Sequence, residues 1–110
     1  MATSSNQEAM QVDATSPTIL VEKNPPQSRL LNLGINSWPK WGCPPGKFHL
    51  KFDAEEIFYL LKGKVKAYIK GSSECVDFAA GDLVVIPKGV TCTWHVLVPV
   101  DKHYQFESTF

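Results

Sequence analysis

With 11 Lys+Arg balanced by 11 Asp+Glu among 110 residues, the chain lacks the basic excess that neutralises phosphates, so no nucleic-acid contact is expected. Its length sets one domain, and no apolar run reaches the length that spans a membrane. The three cysteines, Cys43, Cys75 and Cys92, contain no Cys-x-x-Cys pair. They read as free thiols in a reducing compartment, with the cytoplasm expected and a plastid the alternative.

Residues 1–17 are polar and carry no aromatic side chain. They cannot bury enough surface to order themselves, so a disordered tail is expected there and a folded domain over 18–110. The tail has no apolar core for a secretory signal, and its first basic residue is Lys23, which fits a transit peptide poorly. Thr18 to Val21 reads as a short edge strand stopped by Asn24-Pro25-Pro26. Ser28 to Leu33 is apolar but mixed in period, which leaves strand or short helix open. Trp38 to Gly46 holds three prolines and two glycines, which argues for an irregular loop packed over the core.

From Lys47 the pattern turns to strands. Phe48, Leu50 and Phe52 alternate with His49 and Lys51. Asp53 to Glu55 turns the chain and Glu56 to Leu61 is a strand. Lys62-Gly63-Lys64 is expected to turn again. Val65, Ala67 and Ile69 form a dry face opposite Lys64, Lys66, Tyr68 and Lys70. Lys70 to Ser73 makes a hairpin turn, and Glu74 to Ala79 returns. Gly81-Asp82 turns into the strand Leu83 to Ile86, which Pro87 ends. Gly89 then leads into Val90 to Val96, and Ser108 to Phe110 is expected to fray. Many short strands between regular turns indicate an all-β sandwich or barrel.

Two of these stretches carry a resemblance. Gly81, five residues and Pro87-x-Gly89 resemble the second signature of the cupin superfamily. Glu56, six residues and Gly63 resemble the end of the first. The likeness runs from Trp38 to Phe106. It is closest to the small single-domain cupins grouped with ureidoglycine aminohydrolase-like and ethanolamine-utilisation-type proteins. Trp38-Pro39-x-Trp41, Tyr59-x-Leu61-x-Gly63-Lys64-Val65, Cys92-x-Trp94 and Lys102-His103-Tyr104 belong to that pattern. The implied fold is a single-domain cupin jelly-roll β-barrel.

The resemblance also implies a site. The cupin metal set of three histidines and a glutamate falls on His49, Lys51, Glu56 and Cys92. Two of these positions depart from the set, and a protonated lysine cannot ligate a cation, so a divalent metal is not favoured. Were one bound, His49, Glu56 and Cys92 would hold it. The favoured reading directs His49, Lys51, Glu56 and Cys92 into one cavity, with Lys51 and Glu56 as an internal ion pair. Two function classes follow. In one, an enzyme acts on a small polar or nitrogen-containing molecule, with Lys51 and Glu56 as acid and base and His49 assisting. In the other, a non-catalytic ligand binder or accessory subunit uses a cavity lined by Trp94, Phe58 and Leu60, with Cys92 and Tyr104 nearby. A homodimer is expected, paired partly through the N-terminal sheet edge.

Overall fold

The computed structural model describes residues 18–106; the expected disordered tail and the frayed C-terminus lie outside them. In chain order the elements are β1 (Leu20–Lys23), α1 (Gln27–Leu33), a 3-10 turn (Ile35–Ser37), β2 (Lys40–Cys43), β3 (Gly46–Lys51), β4 (Glu56–Ile69), β5 (Cys75–Ala79), β6 (Asp82–Ile86) and β7 (Thr91–Phe106). Two long bent strands, β4 and β7, run antiparallel through the centre and take part in both halves of a jelly roll. Their first and last segments, Glu56 to Leu60 against Lys102 to Phe106, sit in the row β1-β6-β4-β7-β2. Their other segments, Val65 to Ile69 against Cys92 to Val96, are flanked by β5 and β3.

Four local expectations change. Lys62-Gly63-Lys64 does not reverse the chain; it is a bulge, where the register with β7 shifts. The strand after Gly89 does not end at Val96 but continues to Phe106. The proline-rich loop contains β2, because Pro39 and Pro44 flank that strand rather than interrupt it, and β7 supplies its partners from Val100 to His103. Gly42 permits that pairing: a Cβ there would lie 2.7 Å from the Val100 carbonyl oxygen. The N-terminal strand is displaced to Leu20–Lys23 and pairs with β6, Leu20 opposite Val85.

Burial follows the strand period. Phe58, Leu60, Val65, Ala67, Phe78, Val84, Ile86, Trp94 and Val96 fill the main core. Within it Phe58, Phe78 and Trp94 meet pairwise, with centroids 5.4–5.6 Å apart; each such pair adds about 0.5–1.5 kcal/mol beyond its area. Ile57 and Tyr59 point the other way, where Leu30, Leu33, Ile35 and Trp38 cover them with Leu83. The segment that sequence left open is thus a helix, closed by Gly34 at φ 72°, whose N–H bonds the Leu30 and Leu31 carbonyls. Asp82 is buried, accepting from Lys23 Nζ at 2.8 Å and from the Ala79 N–H at 2.9 Å. It fastens β1 to the turn before β6.

Candidate functional site

The even-numbered residues at the start of β4 and the end of β7 face inward together. Leu60 lies opposite Lys102, Phe58 opposite Tyr104 and Glu56 opposite Phe106. This brings two charged side chains into an apolar interior. Glu56 is 5% exposed and Lys102 4%, and the Lys102 ammonium donates to Glu56 Oε2. Four aromatic rings surround that ammonium: Phe58 at 4.0 Å from its centroid, Trp41 at 5.1 Å, Trp94 at 5.2 Å and Tyr104 at 5.5 Å. Ring faces are negative, so they return part of the solvation that burial removes. Burial nonetheless pulls the Lys102 pKa below its ordinary value, and the Glu56 charge and hydrogen bond oppose that shift.

The pair floors a cavity of about 530 Å³. Trp41, Phe52, Trp94, Tyr104 and Phe106 line it together with Lys51 and Asp53. An ammonium has three donors and a carboxylate two acceptor oxygens. Among the described residues the side chains of this pair make only the one hydrogen bond to each other. Spare hydrogen-bonding capacity therefore faces an aromatic cavity. Elsewhere in the core the Trp94 indole N–H is buried without a hydrogen-bond partner among the described residues.

The site differs from the sequence expectation, because His49, Lys51, Glu56 and Cys92 do not share one cavity. Phe48, Leu50 and Phe52 take the inner side of β3 and the following turn, leaving His49 and Lys51 exposed. Burying three large apolar side chains outweighs burying a histidine and a lysine. His49 Nδ1 shares a 2.9 Å hydrogen bond with the Thr93 hydroxyl. Lys51 lines the same cavity as Glu56 but stays exposed, and the ion-pair partner of Glu56 is Lys102 in its place. Of the expected ligand-contacting residues, Trp94 and Tyr104 line the cavity and Phe58 lies under the ammonium. Leu60 and Cys92 belong to the core.

These donors do not fit a divalent metal. His49 points away, an ammonium already occupies Glu56, and burial pushes the Cys92 thiol up to about 11, the neighbouring Trp94 indole only partly opposing it. A protonated thiol and a cation-paired carboxylate make a poor ligand set. Among the described residues no group of three His, Cys, Asp or Glu could hold a metal ion.

Lys102 and Trp41 are the residues that sequence reasoning missed. A signal for Lys102 existed: Val100, Lys102 and Tyr104 continue the even-numbered phase of Cys92, Trp94 and Val96. A lysine within an inward phase needs a buried partner. Ending the strand at Val96 hid it.

An antiparallel jelly roll whose two long strands aim polar groups into an aromatic cavity has the architecture of a small cupin. The chain belongs to the EutQ-like cupin domain family, whose model matches residues 30–104. A DUF861 family protein from Thermotoga maritima is 34% identical, with a TM-score of 0.78 over 82% of this chain and all of that one. The EutQ protein of Clostridium difficile is 25% identical, with a TM-score of 0.52 over 59% of this chain and 46% of that one. A DUF1255 protein from Acidithiobacillus ferrooxidans is also 25% identical, with a TM-score of 0.56 over 58% of this chain and 60% of that one. No curated protein is significantly similar. Among the described residues no helix is long and apolar enough to cross a membrane.

Proposed function

We propose that this cupin binds a small molecule in the cavity above Glu56 and Lys102, through a polar head and a flat, largely apolar body. The observation that carries the reading is the unfilled hydrogen-bonding capacity of this buried pair. A head group with an acceptor for Lys102 and a donor for Glu56 would use it, as an amide or another small nitrogen-containing group does. Trp41, Trp94, Tyr104 and Phe106 offer stacking faces to the body. Glu56 and Lys102 are also placed to pass a proton to and from such a head, which is the chemistry an enzymatic version of the site would use.

Benzamide is a suitable first probe, followed by tryptophan fluorescence, since Trp41 and Trp94 both line the cavity. Saturable binding by the wild type, lost in the Lys102→Met/Glu56→Leu double variant, supports the reading. Equal binding by both proteins, or no binding at millimolar benzamide, refutes it. We also propose a homodimer formed through β1, an edge strand with Leu20 58% exposed. Sedimentation as a monomer at tens of micromolar would refute that.

A further inference from the structure

We infer that Lys102 is a covalent capture site, whose ε-amine condenses with the carbonyl of a small aldehyde or ketone held in the cavity. The inference rests on the cavity taking a small molecule at all, and it names the class: a carbonyl compound with a flat apolar or aromatic body.

Among the described lysines only Lys102 is buried. The others are exposed, or half-buried in the case of Lys66. Lys102 lies among aromatic rings, with Glu56 as its single hydrogen-bond partner. Burial already draws its proton affinity down, the condition under which a lysine amine becomes a nucleophile. Glu56 is in contact with the ammonium and can take the proton to be removed.

The step balances without an outside reagent. The Lys102 ammonium passes one proton to the Glu56 carboxylate. The freed amine lone pair attacks the carbonyl carbon, and the carbonyl π pair moves onto oxygen. That oxygen gains the proton that nitrogen sheds, giving a carbinolamine. Glu56 then returns its proton to the hydroxyl, which leaves as water while nitrogen forms the double bond to carbon. An ammonium–carboxylate pair has become an iminium–carboxylate pair, with one water released and nothing oxidised or reduced.

The geometry suits reactant and product alike. The cation stays beside Glu56 and over Phe58, whose centroid is 4.0 Å from the nitrogen, so ion pairing and cation–π attraction persist through the reaction. Lys102 and Glu56 are themselves only 4% and 5% exposed, which limits the access of water that otherwise drives an iminium back to the amine. Trp41, Trp94, Tyr104 and Phe106 supply faces for an aromatic body.

The test treats the full chain with limiting benzaldehyde and sodium cyanoborohydride at neutral pH, then maps the benzylated lysine by peptide mass spectrometry. Lys102 should carry the label at least about tenfold ahead of any other lysine, as a buried, more readily freed amine requires. Benzyl alcohol, which has the same body and no carbonyl, should bind without an adduct and protect Lys102. Label spread over surface lysines with Lys102 unmodified overturns the inference. If benzyl alcohol and benzamide still bind in that case, the cavity reading stands and only covalent capture falls. If neither binds, both fall. The Lys102→Met/Glu56→Leu variant controls for folding: by exchanging the whole pair it orphans no charge, and its residual label must match the surface lysines alone.

Discussion

The most exposed consequence of the Glu56–Lys102 pair is its behaviour in a double-mutant cycle. Lys102→Met keeps an unbranched stem of similar volume over Phe58 and removes only the ammonium. Glu56, 5% exposed, is then a carboxylate without its partner. Removing one member of a buried pair costs about 3–5 kcal/mol. Neutralising an ordinary glutamate at pH 7 takes about 4 kcal/mol, which caps the loss, so about 3 kcal/mol is expected. Glu56→Leu leaves the ammonium over its aromatic rings without a counter-charge. The rings return part of the loss, and about 3 kcal/mol is again expected. The double variant Lys102→Met/Glu56→Leu replaces the pair with apolar groups and leaves no charge behind. It should unfold within about 1 kcal/mol of wild type, not the roughly 6 kcal/mol that additivity gives. Urea titrations of the four proteins measure this. Additive losses, or single losses below about 1 kcal/mol, would refute the claim that the pair is dry and mutually dependent.

The same cycle carries a pH dependence with a definite sign. The folded-state pKa of Lys102 lies below its ordinary 10.5 because of burial. Between those two values the unfolded chain holds a proton that the folded chain has released. Stability contributed by this group therefore rises with pH across that window. Glu56 opposes the shift and keeps the window narrow. Glu56→Leu widens it toward lower pH, so the deficit of that variant relative to wild type should shrink as pH rises from 7 toward 10.5. A deficit that grows with pH would contradict the assignment.

Three further outcomes are expected. Gly63→Ala should cost about 3 kcal/mol by thermal melt; its φ is +123° and the new Cβ would lie 2.9 Å from Val100 Cγ2, so a loss under about 1 kcal/mol would mean the bulge yields freely. In thiol-labelling kinetics Cys75, which is exposed, should react first, then Cys43, then Cys92; the rise of the Cys92 pKa from 9.0 to about 11 alone lowers its thiolate fraction about a hundredfold, and comparable native rates for Cys75 and Cys92 would refute its burial. His49→Ala and Lys51→Met should each change stability by no more than about 0.5 kcal/mol, and Lys51→Met should add independently to Glu56→Leu; coupling between those two would restore the pairing read from sequence.

The jelly roll was legible because its cues are local. Gly81, Pro87 and Gly89 punctuate the chain where turns occur, and the alternation of Val65, Ala67 and Ile69 with lysines marks a dry face. The inward turn of Glu56 was legible for the same reason, since it shares a phase with Phe58 and Leu60. The orientation of β3 was legible too, from Phe48, Leu50 and Phe52. Carrying a signature's histidine positions onto His49 and Lys51 set a borrowed pattern against that alternation, and the apolar face took the interior. What could not be read locally was pairing across distance. β2 forms between prolines because β7 lies alongside it, and Lys102 finds Glu56 across 46 residues of chain. The mixed period of Ser28 to Leu33 could not decide its own conformation either. A helix of seven residues presents few turns to show a period, and Gly34 and the outer face of β4 settle it.

The bulge at Gly63 links these non-local features to the site. Before it, the inward residues of β4 are even-numbered: Glu56, Phe58 and Leu60. After it they are odd-numbered: Val65 and Ala67. On β7 the inward residues are even-numbered on both sides of Pro99, from Cys92 to Val96 and from Val100 to Lys102. A regular ladder cannot hold both relations, because changing the phase of one strand by a single residue sends its side chains to the opposite face. The irregular stretch around Gly63 absorbs the difference: from the Leu60–Lys102 pair to the Val65–Val96 pair β4 advances five residues and β7 six. It lets Trp94 face Ala67 in one half of the roll while Lys102 faces Leu60 and reaches Glu56 in the other. The close approach of Val100 to Gly63 fixes where the phase changes. A side chain at position 63 that abolished the bulge would put both halves of β4 in one phase, and with Val65 and Ala67 held inward Glu56 would turn outward, away from Lys102. Gly63→Ala is therefore expected to lose selective labelling of Lys102 along with stability. Retained selectivity would mean that the phase change does not depend on this glycine.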